Sequence, residues 1–171
     1  TFELSHLRTG MTNLPKIYLD TSIISAYFDY SKPVRQLVTQ KWFSEQIPDY
    51  EIFISSLVIE ELDNTTDEVL KNNFFNLVNT INPVLLEFND EIIRLSELYR
   101  ERVIKNQIQD ALHIAIASYY KINAIVSWNF KHIVNLKTVS EIHKINLEQG
   151  YPILEIYTIE NLGGYLYGNI G

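Results

Sequence analysis

Short apolar runs alternate along this chain with longer segments whose apolar positions recur at helical spacing. Lys16–Asp20, Glu51–Ile54, Pro83–Phe88, Ala124–Ser127 and Ile153–Tyr157 read as strands. Between them the pattern predicts helices. Thr21 or Ser22 can cap the first, because a hydroxyl accepts from the exposed N–H groups of a first turn. Pro33 suits the start of a second, reaching about Gln46, and Pro48-Asp49 marks a turn. Ser55 or Ser56 can cap a third, and Thr65 or Thr66 a fourth that runs to about Asn79. Asn89 or Asp90 starts a helix to about Arg102, Lys105–Gln109 reads as a loop, and further helices cover Asp110–Lys121 and Thr138–Gln149.

Strands separated by helices need crossover connections, which make a parallel sheet with helices on both faces. The strands lack polar alternation, as expected when both faces are covered. Ala111, Ala115 and Ser118 put small side chains on one stripe of the Asp110 helix, which allows close approach to the sheet. The expected fold class is α/β, a three-layer sandwich around a central parallel twisted sheet.

The 171 residues suit one domain, and 46% hydrophobic content is enough for a core. No apolar stretch approaches the length of a membrane span, so no membrane partner is expected. Cysteine is absent, which excludes disulfides and thiolate zinc sites. A cytoplasmic protein is the simplest reading. Met11 is the only methionine, so residues 1–10 are expected to be a non-native or disordered leader, with the domain over 11–160. The last nine residues hold four of the six glycines, and 161–171 is expected to be a mobile tail.

A net charge of −7 argues at first against a nucleic-acid partner. The distribution softens this. From Arg100 to Lys144 there are seven lysines or arginines against three acids, whereas Glu60 to Glu68 holds five acids and no base. An uneven field of this kind can guide a polyanion to one face.

Four polar residues stand at element ends: Asp20 after the first strand, Glu61 in the helix after the second, Asp110 opening its helix, and Asn129 after Ala124–Ser127. In an open parallel sheet, ligands bind outside the carboxyl ends of the strands, where strand order reverses. Only one of Glu60 and Glu61 can point there, since helical neighbours differ by about 100° in direction; Glu61 is the choice. Each residue alone is an ordinary turn or helix-dipole residue. Together they form a set of oxygen ligands suited to a hard divalent cation such as Mg²⁺, and so to phosphodiester chemistry. Attack by a water held in line would leave 5′-phosphate and 3′-hydroxyl ends without using a ribose 2′-hydroxyl. Ser22 and Ser127 either position a water or phosphate, or cap backbone groups. His132, with Lys131, is placed near phosphate or water. His113 lies on a mostly apolar helix and reads chiefly as a packing residue, and Trp128 as a core or lid residue rather than a platform for a base.

Lys16-Ile-Tyr-Leu-Asp-Thr-Ser22 resembles the opening motif of PIN-domain ribonucleases, the family that includes VapC-type toxins. Ile54-Ser-Ser-Leu-Val-Ile-Glu-Glu-Leu62 is similar to the second motif, with Glu61 at its acidic position. Asp110-Ala-Leu-His-Ile-Ala-Ile-Ala117 resembles the third and Val126-Ser-Trp-Asn-Phe-Lys-His-Ile133 the fourth, and the similarity runs from about Pro15 to Ile159. The resemblance implies a PIN-like sandwich and an Mg²⁺- or Mn²⁺-dependent endoribonuclease with Asp20, Glu61, Asp110 and Asn129 at the catalytic centre. Asp20, Glu61 and Asp110 would hold the metal. It further implies an RNA substrate, a homodimer and, for a toxin, a small antitoxin protein as partner. The fourth motif usually supplies Asp where this chain has Asn129, and a further downstream acid falls near Lys131. An amide oxygen can ligate a hard cation but adds no charge, so metal affinity is expected to fall. The alternative function is a catalytically weakened PIN fold that binds RNA or protein. Dehalogenase-like and receiver folds fit less well, because Asp20-Thr21-Ser22 lacks their second acid.

Overall fold

A computed structural model describes residues 13–130 and 135–162. The expected leader, Lys131 and His132, and the glycine-rich residues from Gly163 onward lie outside the described residues. The core reaches Leu162, which is 4% exposed.

Five strands form one sheet: β1 (Lys16–Leu19), β2 (Glu51–Ser55), β3 (Val84–Leu86), β4 (Ala124–Val126) and β5 (Glu155–Tyr157). Every pairing is parallel, and the spatial order is β3-β2-β1-β4-β5. The chain therefore builds outward from β1 on one side, then returns to add β4 on the other. That reversal opens a crevice past the carboxyl ends of β1 and β4. Ile17, Tyr18 and Leu19, and Ile125 and Val126, are buried on both faces, which explains why neither run alternates.

Among the described residues the helices are α1 (Thr21–Tyr27), α2 (Pro33–Glu45), α3 (Ser56–Asp63), α4 (Glu68–Ile81), α5 (Asp90–Arg102), α6 (Ile108–Tyr119) and α7 (Leu136–Glu148), with a 3-10 turn at Ile47–Asp49. Several ends differ from the sequence expectation. The cap of α1 is Asp20, whose side chain accepts from Ser22 N, so Thr21 and Ser22 lie inside the helix. The cap of α4 is Asp67, which accepts from two backbone N–H groups; the Thr65–Thr66 hydroxyls lie too early. Helix α6 begins at Ile108 rather than Asp110, behind Gln107, which makes no side-chain cap bond. Asp110 thus sits within the first turn, where its charge offsets the backbone dipole.

Candidate active site

The site is built on the carboxyl end of β1. Backbone N–H of Asp20 continues the pairing with β4 by donating to Val126 O at 3.2 Å. Asp20 is then held in extended conformation as the α1 cap, and the residue is 3% exposed. Oδ1 accepts from Ser22 N at 3.0 Å and from Ser22 Oγ at 2.5 Å; Oδ2 accepts from Ser127 Oγ at 2.5 Å. Each hydroxyl is itself an acceptor: Ser22 Oγ from Trp128 N at 2.8 Å, Ser127 Oγ from Asn129 N at 2.9 Å. Ser22 and Ser127 therefore tie the first turn of α1 to the loop after β4, with Asp20 between them. Their hydroxyls are committed to holding this carboxylate.

Glu61 projects from α3 towards the same place, while Glu60 is exposed. Its carboxylate accepts from the Thr21 hydroxyl and lies 3.3 Å from His113 Nε2. The other ring nitrogen of His113 is 2.7 Å from the Tyr18 hydroxyl, which meets Ser55 Oγ at 2.7 Å. His113, 3% exposed, is thus a packed residue with a definite duty: it links the core hydroxyl of Tyr18 to Glu61. The sequence reading placed it in the packing but missed that duty, because a contact spanning 52 positions leaves no local signal. Thr21, whose hydroxyl reaches Glu61 across 40 positions, was missed as a site residue for the same reason.

The two acids are shifted in opposite directions. Enclosure raises the Asp20 pKa, against the opposing pull of His113 and of the Ser127 and Ser22 hydrogen bonds. Burial also pushes Glu61 upward, but its hydrogen bond and attraction to His113, with the Thr21 hydroxyl, outweigh it and leave Glu61 below the ordinary value.

Asp20, Glu61, Asp110 and Asn129 all line one cleft of about 390 Å³, together with Ser22, Arg35 and His113. All four residues chosen from the sequence are brought together. Ser127 is wholly buried beneath Asp20. Trp128 is a core residue: its Nε1 donates to Thr39 Oγ1 at 3.0 Å, and the Arg35 guanidinium lies 5.9 Å above its ring.

In kind, three carboxylates and an amide suit a hard cation. Asp20 accepts three hydrogen bonds from the described residues, out of about four lone-pair sites on a carboxylate. Its Oδ2 therefore retains one for a cation. In position the set is not closed: among the described residues, no three acids or histidines are gathered closely enough to hold an ion. The donors line the cleft without gathering at one point.

Residues 17–129 match the PIN domain family, and the chain belongs to that family, whose members are nucleases. Solved structures agree on the fold. VapC20 of Mycobacterium tuberculosis, described as a sarcin–ricin loop cleaving toxin, aligns at a TM-score of 0.54 with 13% identity, covering 67% of this chain and 91% of that one. A toxin–antitoxin complex from Klebsiella pneumoniae gives 0.54 at 15% identity, covering 71% and 93%. VapBC2 of Rickettsia felis, bound to a DNA fragment from its promoter, gives 0.52 at 12% identity, covering 84% and 98%. No curated protein sequence matches the chain. Among the described residues no helix is long and apolar enough to cross a membrane.

Proposed function

We propose that this chain is an endoribonuclease that depends on a divalent cation, Mg²⁺ or Mn²⁺, and that it is the toxin of a toxin–antitoxin pair. The observation that carries the reading is the convergence of Asp20, Glu61, Asp110 and Asn129, from four separate elements, on one cleft at the switch point of the sheet. Family membership supports the nuclease class. Structural likeness to proteins described as a sarcin–ricin loop cleaving toxin and as a toxin–antitoxin complex supports the toxin reading and an antitoxin partner; an RNA substrate and a homodimer belong to the same proposal.

In this reading Asp20, Glu61 and Asp110 hold the cation, with the Asn129 amide at the exposed rim. A cation so bound lowers the pKa of a water and neutralises the scissile phosphate. The chain supplies the scaffold. Ser22 and Ser127 fix Asp20 by its two oxygens, and Thr21 and His113 fix Glu61, so that two of the acids are aimed before substrate arrives.

The test is cleavage of a panel of structured RNAs with Mn²⁺. Asp110→Asn is the informative variant, because Asp110 is less buried than Asp20 and does not cap a helix. The expected result is cleavage leaving 5′-phosphate ends, abolished by EDTA and reduced about 100-fold or more by Asp110→Asn, beyond the usual cost of losing a supporting residue. Undiminished cutting by that variant overturns the assignment. A second reading, a weakened PIN fold that only binds RNA or protein, is favoured by the neutral Asn129 and by the unclosed ligand set. Tight RNA binding with no cutting in Mn²⁺ would select it.

A further inference from the structure

Beside the cleft lies a second groove of about 660 Å³, between the start of α2 and the chain leaving β4 and β5. Two residues, Arg35 and Asn129, line both spaces, so the two adjoin at these positions. Arg35 is the one lysine or arginine among the described residues that lines the cleft. Its guanidinium is set from two sides. Nη2 donates to Asp29 Oδ2 at 2.9 Å, and the plane lies over the Trp128 ring. Nε is buried without a partner among the described residues, and Asp29 engages only Nη2, so the donors left for a ligand are those of the two Nη groups. One wall of the groove is the 73%-exposed Val34; Lys32 and Thr158 add a cation and a hydroxyl, and Glu160 adds an acid.

We propose that this groove is the subsite for the nucleotide next to the scissile phosphate of single-stranded RNA, and that Arg35 grips the phosphate between the two sites; this rests on the nuclease reading above. A cleft lined by Asp20, Glu61 and Asp110 repels a polyanion, and a planar guanidinium is the group that offsets this with directed hydrogen bonds to phosphate. The volume lies within the range that encloses a small organic ligand. Val34 and Pro33 present an apolar surface to a base or ribose, while Glu160 disfavours a further phosphate beyond the first nucleotide. The neighbouring nucleotide is therefore held by shape and by one phosphate contact.

The experiment reads binding separately from cutting. A short fluorescein-labelled single-stranded RNA is titrated in EDTA, with anisotropy followed over a range of salt. Arg35→Ala is expected to weaken binding about tenfold and to reduce the slope of log affinity on log salt by about 0.7, one phosphate contact on a single strand. Arg35→Lys, which keeps the charge but not the fork, is expected to restore the slope and only part of the affinity. Loss of the Asp29 pair could unsettle Arg35→Ala, so Val34→Glu is the second variant. Its exposed position at a helix start tolerates an acid, yet it places a charge on the groove wall and is expected to weaken binding. Arg94→Ala on the outer face of α5 is expected to change nothing. The proposal is overturned if wild type does not bind the probe, or if both Arg35→Ala and Val34→Glu bind it like wild type. If wild type binds with these effects yet never cuts in Mn²⁺, the nuclease reading fails and the proposal is overturned as a subsite of cleavage, leaving a groove that only binds RNA. If wild type cuts while both variants bind normally, the subsite fails alone.

Discussion

The Asp20 carboxylate accepts a backbone and two hydroxyl hydrogen bonds while almost wholly enclosed, so it is both a helix cap and a charge held away from water. Its raised pKa has a definite sign in stability. Between the ordinary carboxylate value of about 4 and the raised folded value, the native state binds more protons than the unfolded state, so this residue's contribution falls as pH rises through that window. Glu61, held below its ordinary value, acts oppositely: its contribution is present above the unfolded value and is lost as pH falls through the folded one. In EDTA, Asp20→Asn is therefore expected to melt above wild type at neutral pH, with the gap closing as pH approaches about 4. Asn keeps the cap through its Oδ1, and its amide faces a serine hydroxyl able to accept. Thermal melts across this pH range check it; a gap that does not depend on pH refutes the buried-charge account. His113→Leu should cost about 1–3 kcal/mol in urea unfolding, since it strips Glu61 of a partner while Tyr18 keeps Ser55. The acids of the site were legible because chemistry-bearing residues at strand ends stand out against apolar runs. Arg35, Thr21 and His113 were not, because their significance lies in contacts across the fold.

At the scale of elements, helix starts and stops follow from single residues. Asp67 accepts from both Val69 N and Leu70 N, so Asp67→Ala is expected to destabilise by about 1 kcal/mol, with Thr65→Ala and Thr66→Ala nearly neutral. Denaturant melts of the three variants test which residue caps α4. Helices α6 and α7 end in the same way. In α6, Ile122 N donates to Ala117 O at 2.9 Å and Lys121 N to Ser118 O at 3.0 Å; in α7, Tyr151 N donates to Asn146 O at 2.7 Å and Gly150 N to Leu147 O at 3.2 Å. Both are Schellman endings, which place one residue in the left-handed region. That residue is Gly150 at φ +80 in α7, but Lys121 at φ 55 in α6. Lys121→Gly should therefore stabilise by about 1 kcal/mol, and Gly150→Ala should destabilise by a similar amount for backbone reasons alone, as nothing crowds its Cβ position. Existence and type of the strands and main helices were legible from apolar periodicity. The ends were less so, because nearby Thr, Ser and Asp compete for the same cap and only the path of the chain decides between them.

Across the whole molecule, the sequence pattern implied a parallel sheet but not its strand order, since an apolar run carries no record of its neighbour. The order β3-β2-β1-β4-β5 is what brings Asp20 and Asn129 to one crevice. The basic stretch from Arg100 to Lys144 contributes none of its described cations to the cleft, and Arg102 is spent on Glu141 and Glu148. The charge that faces the acids is Arg35, from a segment the sequence did not single out. If the acids hold a cation as proposed, the fold responds to that ion as a unit. Like charges around one cleft oppose folding. An ion bound only by the native state adds RT ln(1 + [L]/Kd), about 2.7 kcal/mol at a hundred times Kd. Melting temperature should thus climb with Mn²⁺ in wild type, climb less in Asp110→Asn, and follow wild type in Glu45→Gln, at the exposed end of α2. Asn129→Asp adds a fourth charge to the rim of the cleft. Without metal it should melt below wild type; with Mn²⁺ it should gain more and reach its plateau at a lower ion concentration, because the added charge strengthens the ligand set. If Asp110→Asn and Asn129→Asp both trace the wild-type Mn²⁺ curve, the acids of this cleft do not hold a cation.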